Sequence, residues 1–212
     1  MTSNPGRLRG RQAQAAQNDG LILQAAREVF LDNPEAPVSA VAARAGVGIG
    51  ALYHRYAGKE DLLRTLCLDG QRIYLAEVQR ALDSGADPWA AYTEFLRRIV
   101  VANTHGLTVR LAGMFAPSQE QLDLAEQMRT LGTQLFARAQ AAGTLRDDVT
   151  FLDVEYMLEF LARVKLGDAG RTTELRQRHL AVIIDGLRSG HQTTLPGEPP
   201  TWAEQTQRWI PS

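Results

Sequence analysis

Residues 37–56 read PVSAVAARAGVGIGALYHRY, and the reading of this stretch decides the fold. Two short runs with helical apolar spacing meet at Gly46-Val47. Val41, Ala42 and Ala45 give the first run a small apolar face that a second helix can cross closely. Gly46 supplies a turn that a Cβ would crowd, and Val47 plugs the angle. On the second run Leu52 and Tyr56 stand four apart and face inward. That leaves Ile49, Ala51, Tyr53, His54 and Arg55 more outward. This is the pattern of a helix-turn-helix, whose second helix fits the major groove of DNA.

Outward from this pair the chain reads as helix throughout. Strand signals are nearly absent, because the β-branched residues are scattered among Ala, Leu, Arg, Gln and Glu, which favour helix. Residues 1–17 are polar and rich in Gln, Ala and Arg, and are expected to form a flexible arm. A first helix is predicted from about Asn18 to Leu31, with Ile22, Ala25, Ala26, Val29 and Phe30 on its apolar face and Asn33-Pro34 as its stop. After the motif, longer amphipathic helices are predicted at about 59–83, 88–104, 107–115, 118–142, 150–167 and 172–190, separated by Gly, Pro and Ser turns. The expected architecture is all-α. An N-terminal helix-turn-helix domain of three short helices (18–66) precedes a larger helical domain (67–190) and a C-terminal tail (191–212).

Composition narrows the function classes. The chain has 212 residues, 23 basic and 24 acidic side chains, and a formal charge of −1. Residues 1–66 hold eight basic and six acidic groups, so the mild positive excess lies at the N-terminal end. The single cysteine, Cys67, excludes an internal disulfide and a multi-thiolate metal site, and its leucine-rich setting reads as a small buried hydrophobe. The four histidines, His54, His105, His179 and His191, form no pair at helical spacing, so neither a metal ligand set nor a catalytic residue is assigned. No cofactor is expected. No apolar run approaches the roughly 20 residues of a membrane span, and the N-terminus has arginines but no apolar core of a secretory signal. A cytoplasmic location is expected.

The stretch ILQAAREVF (22–30), followed by AVAARAGVGIGALYHRYAGKEDLL (40–63), resembles the DNA-binding domain of the TetR family of bacterial transcriptional regulators. The resemblance covers about residues 18–66 and rests on Ala-Gly-Val at the turn, Gly50-Ala51-Leu52-Tyr53, the aromatic Tyr56, and Lys59-Glu60. It implies a homodimeric repressor that binds a palindromic operator on double-stranded DNA and responds to a small-molecule effector. The segment RHLAVIIDGLR (178–188) looks like the dimerising helix of that family. The expected DNA contacts are Ser39, Arg44, Gly48, Ile49, Ala51, Tyr53, His54 and Lys59. Gly48 stands where the family often has a hydroxyl residue. Ile49 and Ala51 replace common polar residues, which suits apolar contact with thymine methyl groups. Pro37 takes the usual polar cap position and brings Ser39 forward. Arg7, Arg9 and Arg11 suit an arm reaching a neighbouring groove.

In the second domain, aromatic and polar residues interrupt apolar helix faces. The expected effector contacts are Tyr92, Asn103, Arg110, Met114 and Phe115, with Glu159 as a possible internal partner of Arg110. The helices at 150–167 and 172–190 carry more large apolar residues, among them Val154, Phe160, Leu161, Leu180, Ile183, Ile184 and Leu187, than the end of a monomer covers. They are expected to form a four-helix homodimer interface. Thr201 and Glu204 have capping-box spacing between Pro200 and a pair of tryptophans, Trp202 and Trp209, which predicts that 201–210 folds back onto the domain or its mate.

Two other readings compete. Gly46, Gly48 and Ala51 fit a loose dinucleotide-binding pattern, but it requires a preceding strand, and Val38–Ala45 is helical. A helical enzyme or carrier would need a catalytic constellation, and the sequence offers none. A DNA-binding regulator without an effector is the remaining alternative, and a ligand-sized cavity with convergent polar groups argues against it.

Overall fold

In the first unit the apolar stripes read from the sequence close on one another. In the computed structural model the backbone is described for residues 5–111, 113–190 and 193–207, with side chains from residue 19 onward except 108–110. The chain divides into two compact units, Met1–Leu66 and Cys67–Ser212.

Helix α1 spans Pro5–Asp32, α2 Val38–Ala45 and α3 Ile49–Arg55, and α4 runs from Lys59 to Asp83. Ile22, Ala26 and Phe30 of α1, Val41 and Ala42 of α2, Leu52 of α3, and Leu62 and Leu66 of α4 are all nearly inaccessible. Each fully buried side chain of this size contributes about 1.5–3 kcal/mol. Gly46 takes the left-handed conformation (φ 67°) that ends α2, and the Val47 N–H donates to the Ala42 carbonyl at 3.0 Å. Gly48 caps α3 through its backbone alone. The first helix departs from expectation, since it starts at Pro5 and not near Asn18. Proline is well placed at a first helical position, and the Arg, Gln and Ala that follow propagate helix.

The second unit contains the rest of α4 and α5 (Pro88–Ala102), α6 (Thr104–Leu111), α7 (Gln119–Ala141), α8 (Phe151–Arg163), α9 (Ala169–Leu187) and α10 (Trp202–Gln207). Its helix starts are chemically marked. Asp87 accepts from the Trp89 and Ala90 N–H groups. Ser118 with Gln121, and Thr150 with Asp153, form reciprocal capping boxes on α7 and α8, satisfying donors that a helix start leaves open. The helix expected at 107–115 lies at 104–111 instead. Asn103 adopts a left-handed conformation (φ 51°) and ends α5. The next helix therefore begins at once and carries Gly106 inside it.

The core gathers Val78, Tyr92, Phe95, Leu96, Ile99, Leu135, Phe136, Val154, Leu158, Leu161, Leu180, Ile184 and Leu187. This corrects part of the sequence reading. Val154, Leu161, Leu180, Ile184 and Leu187 are buried within the single chain. Phe160, Leu166 and Val182, on or beside α8 and α9, remain more than 60% exposed.

Candidate nucleic-acid interface and internal cavity

Helix α3 presents the outward face that its spacing predicts. Leu52 and Tyr56 are buried, while Ile49 and Tyr53 are 42% and 56% exposed. Gly48, Ala51 and His54 are exposed beside them, and Ser39 is exposed on the first turn of α2. Arg44, Arg55 and Lys59 around this face are each engaged by an acid. The Arg44 Nε donates to Glu28 at 2.7 Å. Arg55 is paired with Asp19. The Lys59 ammonium lies 3.7 Å from Glu35 and 5.7 Å above the Phe30 ring. Sequence reasoning named the bases and missed these partners, although the acids stand in the same segment. Exposed pairs of this kind are worth about 0–1 kcal/mol, so a phosphate can replace the carboxylate at small cost. The side chains of Arg7, Arg9 and Arg11 lie outside the described residues.

The second unit contains a cavity of about 350 Å³ that is open to solvent on one side. Faces of α4, α7 and α8 form most of its lining, joined by Thr104 and His105 of α6 and by Phe115 and Pro117. Cys67, Gly70, Gln71 and Tyr74 come from α4, Gln121, Ala125, Met128 and Arg129 from α7, and Phe151, Glu155 and Glu159 from α8. Glu155 organises the interior. Its Oε1 accepts from the Tyr74 hydroxyl at 3.4 Å, and its Oε2 lies 3.1 Å from His105 Nε2. The His105 Nδ1 is 3.4 Å from the Thr104 hydroxyl. Burial, and then the Glu155 charge, push the Tyr74 phenol well above its usual pKa, so it stays a neutral donor. The Gln71 amide donates to the Gln121 carbonyl at 2.9 Å, and its own buried oxygen has no hydrogen-bond partner.

The tail forms part of the wall. Trp202, Gln205 and Thr206 of α10 line the cavity. Trp202 stacks on Phe151 with centroids 6.1 Å apart, and the Arg129 guanidinium lies 5.5 Å from the Trp202 ring. The Thr201 and Glu204 capping box forms as the spacing predicts, with the Glu204 carboxylate accepting from the Thr201 N–H at 2.7 Å. Upstream, Arg146 donates to the Thr193 carbonyl at 2.7 Å, and Asp148 accepts from the Leu195 N–H at 3.3 Å. The fold-back expected for 201–210 is thus seen in Trp202, while Trp209 lies outside the described residues.

Of the five expected effector contacts, Phe115 lines this cavity. Tyr92 is 1% exposed in the core, edge-on to Phe136. Asn103 borders a separate, much smaller void, and its side-chain oxygen is buried without a hydrogen-bond partner. Met114 is half-buried and not part of the wall, and the Arg110 side chain lies outside the described residues. Helix α5 contributes nothing to the lining, and its apolar face, Tyr92 included, belongs to the core. Cys67 is half-buried and faces the cavity, contrary to the buried position expected for it. Among the described residues, no group of three or more His, Cys, Asp and Glu is placed to hold a metal ion, and no helix is long and apolar enough to cross a membrane.

Residues 22–66 match the family model described as bacterial regulatory proteins of the tetR family, and residues 87–189 match the C-terminal domain of SbtR-like transcriptional regulators. The chain belongs to the TetR family. This TetR-family protein is 23% identical over 195 residues to the HTH-type transcriptional regulator UidR of Escherichia coli K12, covering 83% of this chain and 95% of the relative. A TetR transcription regulatory protein from Mycobacterium vanbaalenii is 28% identical with a TM-score of 0.56, covering 84% of this chain and 98% of that one. The regulator LfrR from Mycobacterium smegmatis, solved in complex with proflavine, is 22% identical with a TM-score of 0.55 over 84% of this chain and 98% of its own. The TetR-family chain is a transcriptional regulator with an all-helical fold, and these relatives are regulators and not enzymes.

Proposed function

We propose that this regulator is a cytoplasmic repressor that binds a palindromic operator as a homodimer and leaves it when a small molecule occupies the cavity. The observation that carries this reading is the pairing, in one chain, of an exposed α3 face with a cavity of about 350 Å³ whose largely apolar wall carries a few polar groups. That volume lies within the ~300–1,000 Å³ of small-molecule sites, and proflavine in LfrR is a precedent for a bound small molecule in the family.

On the DNA side, Tyr53 and His54 approach base edges or backbone, Ile49 and Ala51 meet thymine methyl groups, and Ser39 and the Gly48 backbone approach phosphates. Arg44 and Lys59 exchange Glu28 and Glu35 for phosphate oxygens. The dimer forms through α8 and α9, where Phe160 and Val182 stand exposed. A two-fold axis there suits recognition helices about 34–36 Å apart, or a multiple of it, on a palindrome. Helix α4 starts in the DNA-binding unit and continues into the cavity wall, so a ligand that displaces Gln71 or Tyr74 acts on a helix that both units share. The coupling is reciprocal, and a tenfold loss of DNA affinity on ligand binding corresponds to about 1.4 kcal/mol.

Selection of bound genomic fragments by the purified protein identifies the operator, and gel shifts with candidate effectors then test release. Phe160→Glu is expected to yield a monomer that loses operator affinity. A variant that remains dimeric overturns the interface, and a monomer that binds as tightly as the parent overturns the two-half-site reading.

A further inference from the structure

The charged groups in the wall of the cavity are met from within the chain. The Arg129 Nε donates to Glu126 at 2.7 Å, and the same guanidinium lies against the Trp202 ring. Glu155 is shared between the Tyr74 hydroxyl and His105 Nε2, and the other His105 nitrogen is 3.4 Å from the Thr104 hydroxyl. Glu159 is 4% exposed and engaged inside the chain. Among the described residues, the lining therefore holds no carboxylate or cation that waits for a partner.

The rest of the wall is largely apolar, with broad aromatic surface from Tyr74, Phe115, Phe151 and Trp202. A charged ligand group buried here would give up water without gaining a free counter-charge, or would have to break one of these pairs. Both are costly. An uncharged ligand meets neither penalty.

Two carboxamides supply the open hydrogen-bonding positions. Gln71 uses its amide nitrogen on the Gln121 backbone carbonyl at 2.9 Å, which leaves its side-chain oxygen as a buried acceptor without a donor. Gln121, 6% exposed, uses its side-chain oxygen to accept from the Ser118 N–H at 3.0 Å, so its amide N–H groups are the end left over. An acceptor and a donor thus come from two hydrogen-bonded residues of α4 and α7, and the Trp202 indole adds another N–H to the lining. A hydroxyl matches such a set, because it gives one hydrogen bond and accepts others. The desolvation cost of the orphaned Gln71 oxygen is removed by an incoming O–H.

We propose that the cavity takes an uncharged, mainly apolar molecule that carries a hydroxyl group, with its body against Phe151 and Trp202 and its hydroxyl donating to the Gln71 oxygen. This rests on the reading of the cavity as the effector site and adds the chemical class of the effector.

The test uses four probes on one ring system, 2-naphthalenemethanol, its methyl ether, 2-naphthalenemethylammonium and 2-naphthoate, measured by equilibrium dialysis against the full-length protein without DNA. Both charged probes are expected to bind about tenfold or more weaker than the alcohol, and the alcohol at least as tightly as its more apolar ether. Gln71→Leu should lower the alcohol-to-ether ratio several-fold by weakening the alcohol alone. Trp202→Ala should weaken all four probes and keep their order. A charged probe that matches the alcohol overturns the proposal, as does the absence of binding by all four. An unchanged ratio in Gln71→Leu assigns that oxygen to water and overturns the hydroxyl contact, and if this variant does not fold, an ether that outbinds the alcohol on the parent protein does the same. Gel shifts separate the two readings. An alcohol that binds in the expected order but leaves DNA complexes intact refutes effector release and upholds the ligand class. A charged probe that dissociates them, where the alcohol does not, does the reverse.

Discussion

Two glycines in helical segments of the same unit should respond to alanine with opposite signs. Gly132 in α7 faces the rings around the cavity. A Cβ built there would lie 2.7 Å from Phe151 Cζ, 2.7 Å from the Tyr74 hydroxyl oxygen and 2.9 Å from Phe151 Cε2. Ordinary carbon contacts are about 3.5–4.0 Å, so both rings, or α7 itself, must move by roughly 1 Å. Overpacking of this kind costs about 1–3 kcal/mol, against about 1 kcal/mol gained by replacing a helical glycine with alanine. The expected net effect of Gly132→Ala is a loss centred near ~1 kcal/mol, which lowers Tm by about 2–4 °C for a protein of this size. Gly70 in α4 has nothing within 4 Å of its built Cβ, so Gly70→Ala keeps the full propensity gain and should raise Tm by a similar amount. Thermal unfolding followed by circular dichroism reads both. If Gly132→Ala raises Tm as much as Gly70→Ala does, the close approach of α7 to Tyr74 and Phe151 is wrong. Because Trp202 stacks on Phe151, Gly132→Ala should also shift the tryptophan emission, which Gly70→Ala should leave alone.

Other expectations are as specific. Lys59→Ala should weaken operator binding and reduce the slope of log affinity against log salt by about one per half-site; an unchanged slope in a salt series rules out a phosphate contact. Deleting residues 196–212 should lower Tm, with the lost stack of Trp202 on Phe151 alone worth about 0.5–1.5 kcal/mol, and an unchanged melt refutes a structural role for the tail. Asp148 is held at a pKa of about 2, below the usual 3.8, first by its hydrogen bond with Arg146. A depressed folded value means that the stabilisation is complete above about pH 4 and is lost as pH falls through about 2. The stability gap between the parent and Asp148→Asn in denaturant melts should therefore shrink between pH 4 and pH 2, and a gap that persists at pH 2 removes the carboxylate from the account.

Local patterns were legible because their causes are local. Gly46, Leu52 and Tyr56 set the turn and the buried side of α3 within twenty residues, and Thr201 with Glu204 marked a real helix start. Asn103 is harder to read, because the helices predicted at 88–104 and 107–115 place the break after it, where Gly106 stands, and only the fold shows Asn103 in the left-handed conformation that makes it. The cavity was hidden for another reason. Most of its lining comes from 67–74, 121–129 and 151–159, with contributions from 104–105, 115–117 and 202–206, stretches that only tertiary packing brings together. The signal existed in part, since Cys67, Gln71 and Tyr74 fall on one face of α4, but nothing local says that such a face opens onto space. Apolar residues on α8 and α9 posed a similar problem. Periodicity marks Leu180 and Ile184 as buried without saying whether their own chain or a second copy covers them.

The tail helix gives the cavity one wall of a different kind from the rest. Helix α10 is six residues long and reaches the cavity on a chain clasped at Thr193 and Leu195, whereas most of the remaining wall belongs to the long helices α4, α7 and α8. Being tethered, it returns to its seat at an effective concentration of roughly millimolar, set by the length of the connection and not by the amount of protein present. Detaching it requires no unfolding of the bundle, so it is the wall that yields first. If the cavity holds the effector proposed above, the rates at which it enters and leaves are expected to depend on this one short helix. Lengthening or stiffening the connection between Leu195 and Trp202 should alter exchange kinetics while leaving the chemistry of recognition in place.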